Sequence, residues 1–244
     1  MRLAKNLCVI GVVLAVAGQV PLSPGNAQAP ATAKPTDWPV ISWTNFSMPS
    51  DREMWKPVDD GWSFVDDGPR GFLRLGKKES NYQPKFRSPT HVALLEGLEV
   101  KSFELSVRLR STEPDYGHRD VCLFFGWQSP ERYYYAHLAK AMDDRANQVF
   151  IVNDADRTKI STRTSAGTPW DDQWHWVRVR REVDSGTIEV FFDDMTQPVM
   201  TASDATFAQG RVGVGSFDDR IDVAEVIVKS GEKIGEQLPP TAEK

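Results

Sequence analysis

The chain has 244 residues, with 29 Lys and Arg against 34 Asp and Glu and a formal net charge of −5. That acidic balance argues against nucleic acid and anionic membrane surfaces as partners, since both are bound through basic patches. Neutral sugars, or a cation held by carboxylates, remain compatible with it.

The N-terminus has the layout of a secretory signal peptide: Arg2 and Lys5, an apolar run from Leu7 to Ala17, then the small residues Gly25, Ala27 and Ala29. Cleavage is expected after Ala27, because a cut after Ala29 would leave Pro30 at the new terminus. The apolar run falls short of the ~20 residues that span a bilayer. The mature protein is therefore expected to be periplasmic or extracellular, with no integral membrane span. The leader takes Cys8 with it, which leaves Cys122 alone and excludes an intramolecular disulfide. Cys122 lies in the apolar run Val121 to Trp127 and reads as a small buried hydrophobe. The expected organisation is a leader at 1–27, a Pro/Ala/Thr/Lys spacer at 28–36, one domain at 37–230 and a polar tail at 231–244.

Within the domain the period is two. Phe103, Leu105, Val107 and Leu109 alternate with Glu104, Ser106, Arg108 and Arg110, as in a half-buried strand. Further strands are expected at 61–65, 71–76, 121–127, 133–138 and 148–152. Residues 176–181 and 187–192 flank a hairpin turn at Asp184-Ser185-Gly186. Val212 and Val214 are expected to pair with Ile221, Val223 and Ile227 across Asp218-Asp219-Arg220. The one helical candidate, Ala139 to Arg145, reads as a loop. Many short strands separated by turns specify an all-β, two-sheet antiparallel sandwich.

Four pieces in order carry a resemblance: Trp62-Ser63-Phe64 with Gly71 to Leu75; Ser102 to Arg108; Trp174 to Val179 with Gly186 to Asp194; and Gly210 to Ser216 with Val223 to Val228. The chain resembles the concanavalin A-like lectin and glucanase superfamily, a laminin G-like jelly roll. It looks most like bacterial secreted domains of the 3-keto-disaccharide hydrolase type. The resemblance implies a jelly-roll sandwich that handles carbohydrate outside the cytoplasm, but the fold alone hosts lectins, glycosidases, lyases and inert modules.

The most unusual stretch is 126–159. Tyr133, Tyr135 and His137 share one face of a strand, and Tyr134, Ala136 and Leu138 the other. If the second face packs the core, the first presents two phenols and an imidazole on the concave side. Trp127, Asn153, Arg157 and Lys159 are placed to join them. Aromatic faces stack on sugar rings while amides and charges bond hydroxyls, as a saccharide cleft requires. Strand propensity alone also accounts for such aromatics. His137 is open to three readings: general acid or base, metal ligand, or a hydrogen-bonded sheet residue. His118, on a loop, is a further candidate. With four histidines and no H-x-H or H-E-x-x-H spacing, catalytic zinc is disfavoured. The acidic pairs Asp143-Asp144, Asp193-Asp194 and Asp218-Asp219 suit either solvated turns or a structural calcium ion. The E-x-D-x-x-E pattern of retaining glucanases is absent, since Glu182-Val183-Asp184 runs into a turn. Three functions stay open: a saccharide-binding module, a glycoside-cleaving enzyme with His137 as base, and a protein-binding envelope module.

Overall fold

Alternating apolar residues build two open antiparallel sheets. In the computed structural model, residues 37–232 are described; the expected leader, the spacer and the tail beyond residue 232 lie outside them. The nine-stranded sheet contains β1 (Val40–Thr44), β3 (Trp62–Asp67), β4 (Arg70–Leu75), β6 (Phe103–Ser111), β11 (Ser161–Thr164), β12 (His175–Glu182), β13 (Thr187–Phe192), β14 (Met200–Ser203) and β16 (Ile221–Lys229). Its order is β11-β14-β13-β12-β6-β16-β4-β3, with β1 also on β16. The seven-stranded sheet contains β2 (Trp55–Pro57), β5 (His91–Leu95), β7 (Asp120–Ser129), β8 (Arg132–Ala139), β9 (Gln148–Asn153), β10 (Thr158–Lys159) and β15 (Arg211–Ser216). Its order is β10-β9-β8-β7-β15-β5-β2. Helix α1 (Pro49–Glu53) is the single helix among the described residues.

The inward face of each strand supplies the core between the sheets. Leu105, Val107 and Leu109 of β6 meet Val177 and Val179 of β12, Ile188 and Val190 of β13, and Val121, Leu123 and Phe125 of β7. Phe125 stacks on Tyr134 at 5.3 Å between centroids. At one end the buried Asp59 carboxylate accepts from the backbone N–H groups of Gly61 (2.9 Å) and Val92 (3.0 Å) and pairs with His91 Nδ1 at 2.8 Å. That cluster ties the turn before β3 to β5.

The expected β15–β16 pair does not form: the strands lie in different sheets. The connection is held instead by side chains, with Asp219 N–H donating to Ser216 Oγ (2.9 Å) and Asp120 N–H to Asp219 Oδ2 (2.8 Å). These bonds satisfy the turn's polar groups as the chain passes from one sheet to the other. Residues 140–147 form a loop, as read from the sequence.

Candidate functional site

The aromatic face of β8 forms as expected but is covered. Trp127, Tyr133 and Tyr135 lie on the outer side of the seven-stranded sheet, away from the inter-sheet core, with Val92, Leu94, Cys122, Phe124, Phe150 and Val152. Trp127 reaches that side because Gly126, at φ +57°, makes a bulge in β7, which shifts the register between Phe125 and Ser129. Its ring then stacks on Tyr133 at 4.2 Å. Tyr82 and Phe86, from the segment between β4 and β5, pack over this layer together with Phe217. Tyr133 and Tyr135 are 0% exposed and Trp127 is 2% exposed. The expected open wall is thus a second small core. The cause is the cover contributed by Tyr82 and Phe86.

The other expected residues disperse around it. Arg157 donates to Tyr135 Oη at 2.9 Å and lies over the rings of Phe150 and Phe217, so it caps the layer. Lys159 is exposed and pairs with Asp144 at 2.5 Å. His118 is exposed on its loop. Asn153 pairs with Arg132 while His137 pairs with Gln148. Five residues along a strand is roughly 16 Å, so Asn153 and His137 do not converge on one point.

Sequence reading missed an open cleft on the outer face of the other sheet. Along one edge of β16, Ile221 to Val223 pair with β4, whereas Val226 to Lys229 pair with β1. A register shift between Val223 and Glu225 marks the fork. Beyond β1 the chain turns through Phe46 (φ +58°), whose buried ring packs near Trp55 (5.8 Å) and Phe64 (6.1 Å). Gly71 makes this approach feasible, because a Cβ there would stand 2.5 Å from the Phe46 carbonyl oxygen. The fork leaves a cleft of about 280 Å³, with Trp43, Phe72 and Trp174 as its aromatic lining and Asn45, Asp67, Arg70, Arg108 and Glu225 among its polar groups.

Its aromatic rings are held in place from behind. The buried Asp222 carboxylate accepts from Arg74 Nε (2.7 Å) and from Arg110 Nε (3.0 Å), each arginine adding a second bond. Arg74 lies over Phe72 at 4.9 Å and Arg110 over Trp174 at 4.6 Å, within cation–π range. Phe72 and Trp174 meet edge to face at 6.2 Å. Trp43 is 57% exposed, and its indole N–H donates to Glu225 Oε1 at 2.8 Å.

A third constellation is buried at the start of β7. His137 Nδ1 contacts the Arg145 carbonyl oxygen (2.9 Å) and Nε2 contacts Asp120 Oδ2 (2.7 Å). The Tyr116 hydroxyl donates to Asp219. Burial, then the neighbouring Asp120 charge, push the Asp219 carboxyl up to about 6, against its hydrogen bonds. Burial pushes the Cys122 thiol well up. One ligand atom from each of Asp120, Cys122 and His137 lies within 4.8 Å of the others, a potential metal-binding triad.

No protein-family model matches the sequence, and a search of curated proteins finds no relative. Solved structures do match. A carbohydrate-binding module, CBM66 from Bacillus subtilis, superposes with a TM-score of 0.52 at 17% identity, over 72% of this chain and 96% of that one. A Bacillus subtilis protein of unknown function with a galectin-like fold gives 0.54 at 12% identity, over 78% and 95%. The GH43 protein BlXynB from Bacillus licheniformis gives 0.56 at 11% identity, over 81% of this chain but 40% of that one. The fold is a concanavalin A-like jelly roll.

Calcium takes six to eight oxygen ligands, and two of the three acidic pairs, Asp143-Asp144 and Asp193-Asp194, have partners within the protein. Asp143 Oδ1 accepts the Arg145 amide, Asp144 pairs with Lys159, Asp193 with His175, and Asp194 accepts from Thr196. The buried triad offers one carboxylate beside an imidazole and a thiol, a poor set for a hard cation. Among the described residues, no helix is long and apolar enough to cross a membrane.

Proposed function

We propose that the protein is an exported saccharide-binding module that holds a neutral glycan in the cleft at the β1–β4 fork of the jelly roll. The observation that carries this reading is Trp43: a 57% exposed indole whose edge is fixed by Glu225, beside an immobilised Trp174. Trp43, Phe72 and Trp174 line one cleft together with polar groups, the mixed lining that ligand sites use. The cleft's lining includes two arginines, Arg70 and Arg108, and two carboxylates, Asp67 and Glu225, so these charges balance. Balanced charge with amide and guanidinium donors suits a hydroxyl-rich, uncharged ligand. The solved structures of the same fold include a carbohydrate-binding module and a GH43 protein, which supports handling of carbohydrate. Export rests on the leader-like sequence of residues 1–27.

Isothermal titration of the protein against a panel of soluble neutral polysaccharides tests this. Saturable binding that Trp43→Ala abolishes supports the module. Absence of saturable heat across the panel, or binding indifferent to Trp43, refutes it. Sequencing the N-terminus of the secreted protein tests export, with residue 28 expected first.

A further inference from the structure

Asp120 and Cys122 alternate on β7 and so point to the same face, and His137 lies directly across from Cys122 in register. All three are buried, and their ligand atoms lie within 4.8 Å of one another. The Arg145 carbonyl can only accept, so His137 Nδ1 carries the proton and donates to it, which aims Nε2 at Asp120. A carbonyl that fixes the imidazole through Nδ1 is the outer-shell partner that metal-bound histidines have. The Cys122 thiol is fully buried and makes no hydrogen bond among the described residues. Neither Asp120 nor the adjoining Asp219 forms an ion pair with Lys or Arg there, and Asp120 pairs with His137.

We propose that Asp120, Cys122 and His137 form a three-ligand site for one borderline-soft divalent ion of the zinc type. The ion replaces the thiol proton and the proton shared between His137 and Asp120. The divalent ion together with one carboxylate, one thiolate and a neutral imidazole then carries no net charge, the state a buried site favours. Sulfur, nitrogen and oxygen donors select zinc or cobalt over calcium and magnesium. With metal–ligand bonds of roughly 2.0–2.3 Å in a tetrahedron, donor atoms stand about 3.3–3.7 Å apart. The 2.7 Å His137–Asp120 contact therefore opens by less than about 1 Å. The bound ion would clamp β7 to β8 beneath Phe217, whose ring centroid is 5.3 Å from that of His137.

The test is a Co²⁺ titration of the full chain carrying Cys8→Ser, after chelator treatment. One equivalent is expected to bind with a near-ultraviolet thiolate-to-cobalt charge-transfer band, displaced by Zn²⁺ and unaffected by excess Ca²⁺. Cys122→Ser is expected to remove the band at unchanged far-ultraviolet circular dichroism, and Asp120→Asn to weaken binding at least about tenfold. If Asp120→Asn does not fold, His137→Gln serves in its place with the same expected loss. Cobalt binding without the band, a band that survives Cys122→Ser, or no stoichiometric uptake overturns the proposal.

Discussion

The indole N–H of Trp43 donates to Glu225 Oε1 at 2.8 Å, across 182 residues of sequence, where β4 and β1 part along β16. One ring edge is fixed by that bond while the ring stays more than half exposed. Fixing a ring before a ligand arrives removes part of the ordering cost of binding. Glu225→Ala, which frees the ring, is expected to weaken saccharide binding by about threefold to tenfold, roughly 0.7–1.4 kcal/mol. Glu225→Gln keeps an acceptor oxygen and is expected to restore most of the affinity, as titration calorimetry would show.

Asp222 acts at one remove. It holds the two arginines that support Phe72 and Trp174. Asp222→Asn removes the charge from a buried carboxylate, but the Arg74 and Arg110 side chains are 41% and 32% exposed and are partly solvated in compensation. The expected cost is about 1–2 kcal/mol, a fall of roughly 2–8 °C in melting temperature. Saccharide affinity is expected to fall with it, without loss of stoichiometry. Unchanged affinity would mean that the rings do not need this support.

Gly71→Ala tests the fork itself. The added methyl meets a backbone oxygen 2.5 Å away, which cannot move aside as a flexible side chain can. Overpacking of this kind costs about 1–3 kcal/mol. Thermal unfolding should show the loss, and saccharide affinity should fall as β1 shifts.

Much of the sandwich was legible because one face of β6 and β12 is polar: Phe103 to Arg110 and Trp176 to Arg181 show period two. In β5 (His91–Leu95) every residue is buried, so the alternation that reveals a strand is missing. The shared face of Tyr133, Tyr135 and His137 was legible from β8, but its burial was not. That burial depends on Tyr82 and Phe86, in a segment between β4 and β5 with no strand of its own. The fork cleft left no local signal, since it needs a register shift in β16, a left-handed Phe46 and Gly71 to coincide in space. The triad escaped for a related reason. A search for histidine spacing does not join Asp120 and Cys122 to a residue on the next strand.

Lifting the cover separates the two aromatic surfaces. Phe86→Ala and Tyr82→Ala remove packing from the layer over Tyr133 and Tyr135. Because both rings are only partly buried, about 1–3 kcal/mol of destabilisation is expected for each, below the range for a fully buried ring. Saccharide affinity is expected to stay at the wild-type value. An altered affinity would return the binding site to the seven-stranded sheet.

Glu113 predicts the acid limb of stability. Burial alone would raise its carboxyl, but hydrogen bonds from Arg220 and Lys78 override this and hold it at about 2. Because the folded value lies below the unfolded one, the contribution is present above about pH 4.5 and is lost as pH falls toward about 2. Glu113→Gln should therefore lower the melting temperature at pH 6 and flatten its fall between about pH 4.5 and 2. An equally steep acid limb in the variant would contradict this role.

The most direct test follows the Trp43 indole N–H by heteronuclear NMR while a polysaccharide found by calorimetry is added. The expected result is a saturable shift of the Trp43 and Trp174 indole signals, with the Trp127 signal unmoved, and Trp43→Ala weakening binding by at least about thirtyfold, roughly 2 kcal/mol. A shift of Trp127 with Trp43 and Trp174 unmoved, or full affinity in Trp43→Ala, would contradict the assignment of the saccharide to the fork.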